Sequence, residues 1–269
     1  MNSPAVPVVR DDDWSRTSVD RFVLAKLRDH ELQPQLEADR YTLIRRVSLG
    51  LTGLPPTPEE VWVFVSDSEP EAYERLVDRL LKTPRFGERW GRHWLDVVRF
   101  GESKGALTVD QDRVRGEAWK FRDAVILALN DDVPFDRFVR IHLDESDTPD
   151  KFQPLRQFIH LGTQLQDNAD PNDKQFHRLN NIVSTTGSAF LGISFGCARC
   201  HDHPVDPMST EEYYQFTAAF FDQVKEAPKA SSKKIPLRIT EPRVLRNGSW
   251  QLPGEAVSPG FLRVLSRRG

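Results

Sequence analysis

The two cysteines of the chain lie three residues apart, and a histidine follows directly after the second. Cys197, Cys200 and His201 form the pattern Cys-x-x-Cys-His within GCARCHDH. This is the spacing of a c-type haem attachment site, in which both thiols add to the haem vinyl groups and the histidine ligates the iron. Because only 2 cysteines and 7 histidines occur among 269 residues, their concentration in one motif calls for a chemical reason.

Zinc binding and thiol redox chemistry also use Cys-x-x-Cys, and both are weighed against haem. A structural zinc ion needs four ligands. Without a second cysteine pair, two of them would come from His201, His203 or Asp206. A thioredoxin-like site is expected in a βαβ setting, whereas this motif follows a helical pattern, and a Cys197–Cys200 disulfide would close a very short loop. Covalent haem c is the leading interpretation, and zinc or a disulfide is the alternative.

A haem iron with a proximal histidine has either a sixth ligand or an open face. His93 falls on an apolar stripe with Trp90, Trp94 and Val97, so it is predicted to face the interior. There it is either a core histidine bonded to a backbone carbonyl or the distal haem ligand. His142 is likewise predicted to be a core histidine.

His203 and Asp206 follow His201 too closely to reach the opposite face of a haem. They are predicted to orient the motif from the second coordination shell, to bind a cation, or to serve as turn residues. His201 is therefore the predicted proximal iron ligand of the set.

Helical periodicity accounts for nearly all of the chain up to residue 224. Thr57 is predicted to cap one helix, and Ser209 with Glu212 to form a capping box at another. The cysteine motif is predicted to follow a long helix that ends at Gly196. The predicted helices cover 18–30, 40–49, a segment from Pro58, 71–82, 86–100, 117–130, a segment after Pro134, 173–194 and 210–222, with loops at 101–116 and 144–151. The predicted fold class is all-α, an irregular multi-helix domain with an extended C-terminal tail that can hold short strands.

The composition changes at Lys225. Residues 225–269 carry a net charge of +7, while the whole chain carries −3. We therefore predict a disordered segment over 1–13, a helical domain over 14–224, and a basic linker with the start of a truncated second module over 225–269. The basic tail lacks interleaved aromatic residues, so nucleic-acid binding is not expected.

Several other functions lack support in the sequence. The sequence contains no run of about 18 apolar residues, so no membrane span is predicted. The opening MNSPAVPVVRDDDW lacks the apolar core of a signal peptide. No Gly-rich phosphate loop, Ser/His/Asp arrangement or carboxylate pair stands out. The chain alone is not predicted to be an enzyme.

The block GCARCHDHPVDPMSTEEYYQFTAAFF resembles the signature of the planctomycete-type cytochrome-c-associated domain family PSCyt-two, a domain of unknown function. The resemblance covers roughly residues 14 to 222. It extends to VDRFVLAKLRDHELQP, ADRYTLIRRVSLGLTGLPPTPEEV, YERLVDRLLKTPRFGERWGRHWLDVVRF, WKFRDAVILALNDDVPFDRFV and RLNNIVSTTGSAFLGISFGCARCHDHPVDP. The tail VLRNGSWQLPGEAVSPGFLRVL is similar to the opening of a module that usually follows in this family.

The resemblance implies a large exported protein with a periplasmic setting and a redox partner, which is either a separate protein or the rest of a full-length chain. It also implies a functional link to polysaccharide breakdown, although no settled reaction is assigned to the family. His93 lies in RHWLD, which matches the family pattern and favours its role as distal ligand. The expected function is a c-type haem-binding domain in electron transfer or a redox module of a larger assembly. The alternative is a non-haem structural or binding module whose motif holds zinc or a disulfide.

Overall fold

The structure is a computed structural model whose described residues are 4–10, 12–103, 114–143, 146–162, 165, 169–224, 239–263 and 265. Helices make up most of this part, and its two strands form one small antiparallel sheet, which confirms the all-α prediction. The α-helices are α1 (Ser18–Asp29), α2 (Arg40–Thr52), α3 (Pro58–Ser66), α4 (Ala72–Leu81), α5 (Pro84–Val97), α6 (Ala118–Asn130), α7 (Phe135–His142), α8 (Pro171–Thr186) and α9 (Thr210–Ala218). The strands are β1 (Arg243–Leu245) and β2 (Pro253–Ala256).

The chain forms two compact units. Unit 1 comprises Met1–Gly50 and Leu54–Leu76, and unit 2 comprises Leu51–Gly53 and Val77–Gly269. In unit 1, the guanidinium of Arg40 lies 4.1 Å from the ring centroid of Phe64 and donates hydrogen bonds to the carbonyls of Phe64 and Asp67. Arg40 thereby ties the start of α2 to the end of α3.

Helix starts follow the capping residues in the sequence. Thr57 and Glu60 form a reciprocal capping box at α3, and Pro58 stands at the first helical turn. Ser209 and Glu212 form the same kind of reciprocal capping box at the start of α9. Both predicted caps are confirmed.

In unit 2, α5 packs against α6 through glycines. A Cβ on Gly87 would lie 2.4 Å from the carbonyl oxygen of Ile126, and one on Gly91 would lie 3.1 Å from the Ile126 side chain. The predicted buried stripe of α5 is therefore wrong in part, because Trp90 and Val97 are 44% and 45% exposed, whereas Trp94 packs against the core. The helix turns its glycine face, rather than its aromatic face, toward its neighbour.

A 3-10 helix over Asp150–His160 was not predicted from the sequence. Its buried residues Phe152, Leu155 and Phe158 recur every three positions, which is the period of a 3-10 helix. The predicted loops lie partly outside the described residues, at 104–113 and 144–145.

The helix before the cysteine motif ends earlier than predicted. After α8, one π-helical turn covers Gly187–Leu191, and Gly192 ends it at a φ of 66°. A Cβ on Gly187 would lie 2.9 Å from the carbonyl oxygen of Ile193, so glycine allows the chain to fold back at this point. The predicted end at Gly196 is wrong for this reason.

The described part of the tail belongs to the core of unit 2. Ile239, Leu245 and Leu262 are buried in it, and β1 pairs with β2 in a hairpin. The strands expected in the tail are thus present. The linker KEAPKASSKKIP lies outside the described residues, and the predicted boundaries at 13 and 224 stay predictions. Across the described ranges, no helix combines the length and apolar character that crossing a membrane requires.

Candidate functional site

The Cys-x-x-Cys segment forms a short 3-10 helix over Phe195–Arg199. Side chains three positions apart share one side of such a helix. Cys197 and Cys200 are accordingly both exposed, as free thiols, while Phe195 and Ala198 are fully buried. The motif therefore has an anchored face and an open face, and both thiols lie on the open one.

Phe195 holds the anchored face in place through an aromatic contact. Its ring centroid lies 4.9 Å from that of Phe216 in α9, with the two planes at 86°. This edge-to-face packing adds to the burial of both rings. The backbone that carries the thiols is fixed to the core by the residue just before Gly196.

His201 is exposed, and its Nδ1 lies 2.8 Å from the carbonyl oxygen of Asp202. A carbonyl oxygen only accepts, so Nδ1 carries the proton and donates it, and Nε2 holds the lone pair. Within the described part of the chain, Nε2 has no hydrogen-bond partner. This tautomer is the one that can ligate a metal through Nε2.

His203 has a different role in the same loop. Its Nδ1 accepts from the backbone N–H groups of Val205 and Asp206, at 3.2 Å and 2.7 Å. Nε2 is then the protonated nitrogen, and it is buried 3.6 Å from Oδ2 of Asp206. Of the three predicted roles, this geometry favours that of a turn residue, because Nδ1 accepts two hydrogen bonds from the turn's own backbone; orientation of the motif and cation binding stay predictions.

The C-terminal hairpin packs against the motif from outside. Arg199 donates from Nε and Nη2 to the carbonyl oxygen of Gly248, at 3.2 Å and 2.8 Å. The hydroxyl of Tyr214 donates to the carbonyl of Arg199 at 3.0 Å. A Cβ on Gly248, whose φ is 67°, would lie 2.8 Å from the Sγ of Cys200.

These supporting residues were not predicted from the sequence. The pair Asn247-Gly248 is typical of a tight turn, so the turn itself carried a signal. Nothing in the sequence relates that turn to Cys200, since the contact depends on how the hairpin docks. Arg199 is one of the two variable positions inside the motif.

Gly248→Ala is expected to lower the free energy of unfolding by about 2 to 3 kcal/mol. The left-handed backbone conformation costs an alanine about 1 kcal/mol, and overpacking against Cys200 and Arg199 adds the rest. Urea denaturation measures the loss, and the rate at which a thiol reagent labels Cys200 should also change.

Gly192→Ala is the matched control for this change. Gly192 has nearly the same φ, 66°, but an added Cβ would meet nothing within 4 Å. Gly192→Ala should therefore lower the free energy of unfolding by only about 1 kcal/mol, which is the cost of the left-handed conformation alone. Equal losses in the two variants would show that the hairpin contact with the motif contributes nothing.

The structure does not bring every predicted ligand together. His93 is exposed, with its ring centroid 5.7 Å from that of Trp90, so the prediction that it faces the interior is wrong. The cause is the glycine face of α5, which rotates His93 outward. Its role as a distal ligand stays a prediction. His142 is fully buried and bonded to the carbonyl of Phe138, as expected.

A preformed metal site is not evident around the motif. Among the side chains that the structure describes, no group of three or more His, Cys, Asp or Glu residues is arranged to hold a metal ion. The donor set of the turn is two outward thiols and one imidazole. That set suits a cofactor held through two thioethers and one axial nitrogen better than a tetrahedral ion.

Comparison with known proteins yields one match. The family described as "Protein of unknown function (DUF1549)", PSCyt2, matches residues 18–226. No curated protein and no solved structure matches the chain. The matched range contains the cysteine motif, includes parts of both units, and covers well over half of the chain. The chain belongs to the PSCyt2 family of proteins of unknown function.

Proposed function

We propose that the chain is a c-type haem-binding domain of an exported, periplasmic protein. Cys197 and Cys200 carry the haem covalently, and His201 ligates its iron through Nε2. The observation that carries the proposal is the turn itself, which leaves both cysteines exposed as free thiols and is followed directly by His201, whose Nε2 holds the lone pair. The domain serves electron transfer, or acts as the redox module of a larger assembly connected with polysaccharide breakdown.

The residues around the motif fit this role. Bound haem would supply a one-electron redox centre. The carbonyl of Asp202 accepts a hydrogen bond from Nδ1–H of His201. This bond fixes the tautomer and makes Nε2 a stronger electron-pair donor toward a metal. Asp202 is held in turn, because its Oδ1 accepts from the backbone N–H of Thr210 at 2.8 Å. Ligand orientation is therefore set by the loop before any cofactor arrives.

The alternative is a structural or binding module in which the motif holds zinc or a disulfide. Its support is that both thiols are free and share one side of a turn. Zinc would need further ligands, and Nδ1 of His203 already accepts two backbone hydrogen bonds. The donor chemistry therefore favours haem.

Production with the haem-attachment machinery in an oxidising compartment is expected to yield covalent haem, visible as haem staining on a denaturing gel and as a thioether-haem absorption band. Cys197→Ser with Cys200→Ser should abolish the covalent band, because no thiol remains to add to the vinyl groups. His201→Gln should alter the iron spectrum through loss of the proximal ligand.

His93→Gln is the informative control for these variants. It should keep the covalent band, and a change in its spectrum would identify His93 as the distal ligand. Wild-type protein that stays colourless under these conditions would contradict the haem proposal. Stoichiometric zinc, or loss of both free thiols to a disulfide, would then establish the alternative.

A further inference from the structure

Two arginines outside the cysteine motif are held in place by neutral groups, as far as the described residues go. Arg99 donates to the side-chain and backbone oxygens of Asn181. Arg115 donates to the carbonyls of His160 and Gly162. Gly162 connects the two, since a Cβ added to it would lie 3.8 Å from the guanidinium carbon of Arg99. Both guanidinium groups are therefore fixed around one glycine.

Neither arginine has a carboxylate partner among the described residues. Glu102, whose backbone carbonyl accepts from the Arg115 N–H, has its carboxylate 2.6 Å from Arg122 instead. Burial lowers the pKa of Arg99 and of Arg115, the direction expected for cations that lose water without gaining an anion. Nε of Arg115 is buried, and no described residue supplies an acceptor for it.

The effect of neighbouring arginines on His160 shows that positive charge is concentrated here. Burial lowers the pKa of its imidazole, and the charges of Arg178 and Arg115 lower it further. Those two guanidinium groups thus lie close enough to repel a proton on His160. An anion bound among these side chains would relieve that repulsion and accept hydrogen bonds from the guanidinium forks.

The backbone conformation at Arg99 is unusual for a residue other than glycine. Arg99 donates its N–H to the carbonyl of Asp96, Phe100 donates to Leu95, and Arg99 has a φ of 56°. This is a Schellman motif after α5, in which the left-handed position usually belongs to glycine. An arginine there is disfavoured by its Cβ, and the hydrogen bonds of its side chain to Asn181 offset part of that cost.

We infer that Arg99, Arg115 and His160 form a binding site for a small oxyanion, namely a phosphate, sulfate or carboxylate group. Each Nη group that donates to a protein oxygen carries a second hydrogen, and guanidinium N–H donors of this kind recognise such groups. The site lies at the end of α5, beside Asn181 of α8, and its residues are separate from the cysteine motif. It is independent of the proposed haem function.

Titration calorimetry of the full chain with inorganic phosphate, sulfate and acetate tests this inference, with ionic strength held constant by chloride because exposed charges are screened by salt. Saturable binding of at least one anion is expected. Preference for phosphate and sulfate would identify a tetrahedral oxyanion as the ligand class, and preference for acetate would identify a carboxylate. No saturable binding of any of the three would overturn the inference.

Arg99→Gly is the sharpest variant, because it removes the guanidinium and relaxes the left-handed backbone, so the fold is retained. Arg99→Gly and Arg115→Gln should each weaken binding about tenfold or more, as loss of a charge-assisted contact predicts. Arg85→Gln, at an exposed arginine that pairs with Glu88, is the control and should leave the affinity unchanged. Unchanged affinity in both site variants would place the anion elsewhere.

Chemical modification of the wild-type chain gives a readout that depends on no variant. An arginine-specific dicarbonyl reagent, followed by peptide mass mapping, should modify Arg99 and Arg115 more slowly when the binding anion is present. Arg85 should react at the same rate with and without it. Equal protection of all three arginines, or of none, would contradict the assigned location.

Discussion

Gly87→Ala is expected to lower the free energy of unfolding of unit 2 by about 3 kcal/mol, the upper part of the range for overpacking. An alanine Cβ would lie 2.4 Å from the carbonyl oxygen of Ile126 and 2.7 Å from the side chain of Asn130. The first of these is backbone, so α5 and α6 would have to separate. Separation would also break the hydrogen bond that the Gly87 N–H donates to Oδ1 of Asn130 at 2.8 Å.

Two further glycines make this a graded series. Gly91→Ala meets only the flexible side chain of Ile126, at 3.1 Å, so it should cost about 1 kcal/mol. Gly116→Ala meets nothing within 4 Å and should be neutral or slightly stabilising. Urea denaturation followed by tryptophan fluorescence measures all three. A Gly87→Ala variant as stable as Gly116→Ala would show that the α5–α6 crossing is not as close as the structure has it.

The helical fold was predictable because local signals agree with the structure. Apolar periodicity located α4 and α6 within a residue or two, and the capping boxes at Thr57 and Ser209 marked two helix starts. These signals act within one turn of helix, so they do not depend on the partner that the helix packs against. Local chemistry was enough at these positions.

The orientation of α5 was not predictable in the same way. Its largest apolar side chains, among them Trp90, indicated one buried face, whereas Gly87 and Gly91 form the face that packs on α6. Hydrophobic periodicity gives no weight to a glycine, although a missing side chain is what lets two backbones approach. His93 was placed in the interior by this error.

In the candidate site, too, the local features were predictable from the sequence and the tertiary contacts were not. The spacing of Cys197, Cys200 and His201 identified the reactive groups, because the chemistry of attachment depends on local spacing alone. The supports did not follow from the sequence, since Gly248 reaches Cys200 only through docking of the C-terminal hairpin. Contacts between segments far apart in the chain require the tertiary structure.

The second large effect is a loss of stability in mild acid, caused by His142. Its Nδ1 donates to the carbonyl of Phe138 at 2.7 Å, and its Nε2 accepts from the indole N–H of Trp94 at 3.2 Å. Both nitrogens are thus satisfied in the neutral ring, and a proton on Nε2 would face the Trp94 donor. Burial lowers the pKa of His142 from 6.5 to about 4, although the bond to Phe138 acts in the opposite direction.

The depressed pKa determines the pH window. Above pH 6.5 the ring is neutral in the folded and unfolded states, so the stability is fully present. Between about 6.5 and about 4 only the unfolded chain takes up the proton, and the free energy of unfolding should fall by about 3 kcal/mol in total. The carboxyls of Asp20 and Asp136, whose pKa values hydrogen bonds from Thr17 and Arg140 lower below 3.8, contribute only in stronger acid.

His142→Gln tests this assignment, because glutamine can accept from Trp94 and donate to Phe138 but does not titrate. Urea denaturation at a series of pH values should show a much shallower slope between pH 6.5 and about 4 for this variant than for the wild type. His160→Gln is the matched variant, and it should remove a smaller part of the slope, since His160 keeps more contact with solvent than the fully buried His142 and burial lowers its pKa less. A slope in His142→Gln equal to that of the wild type would mean that His142 is protonated as readily in the folded chain as in the unfolded one.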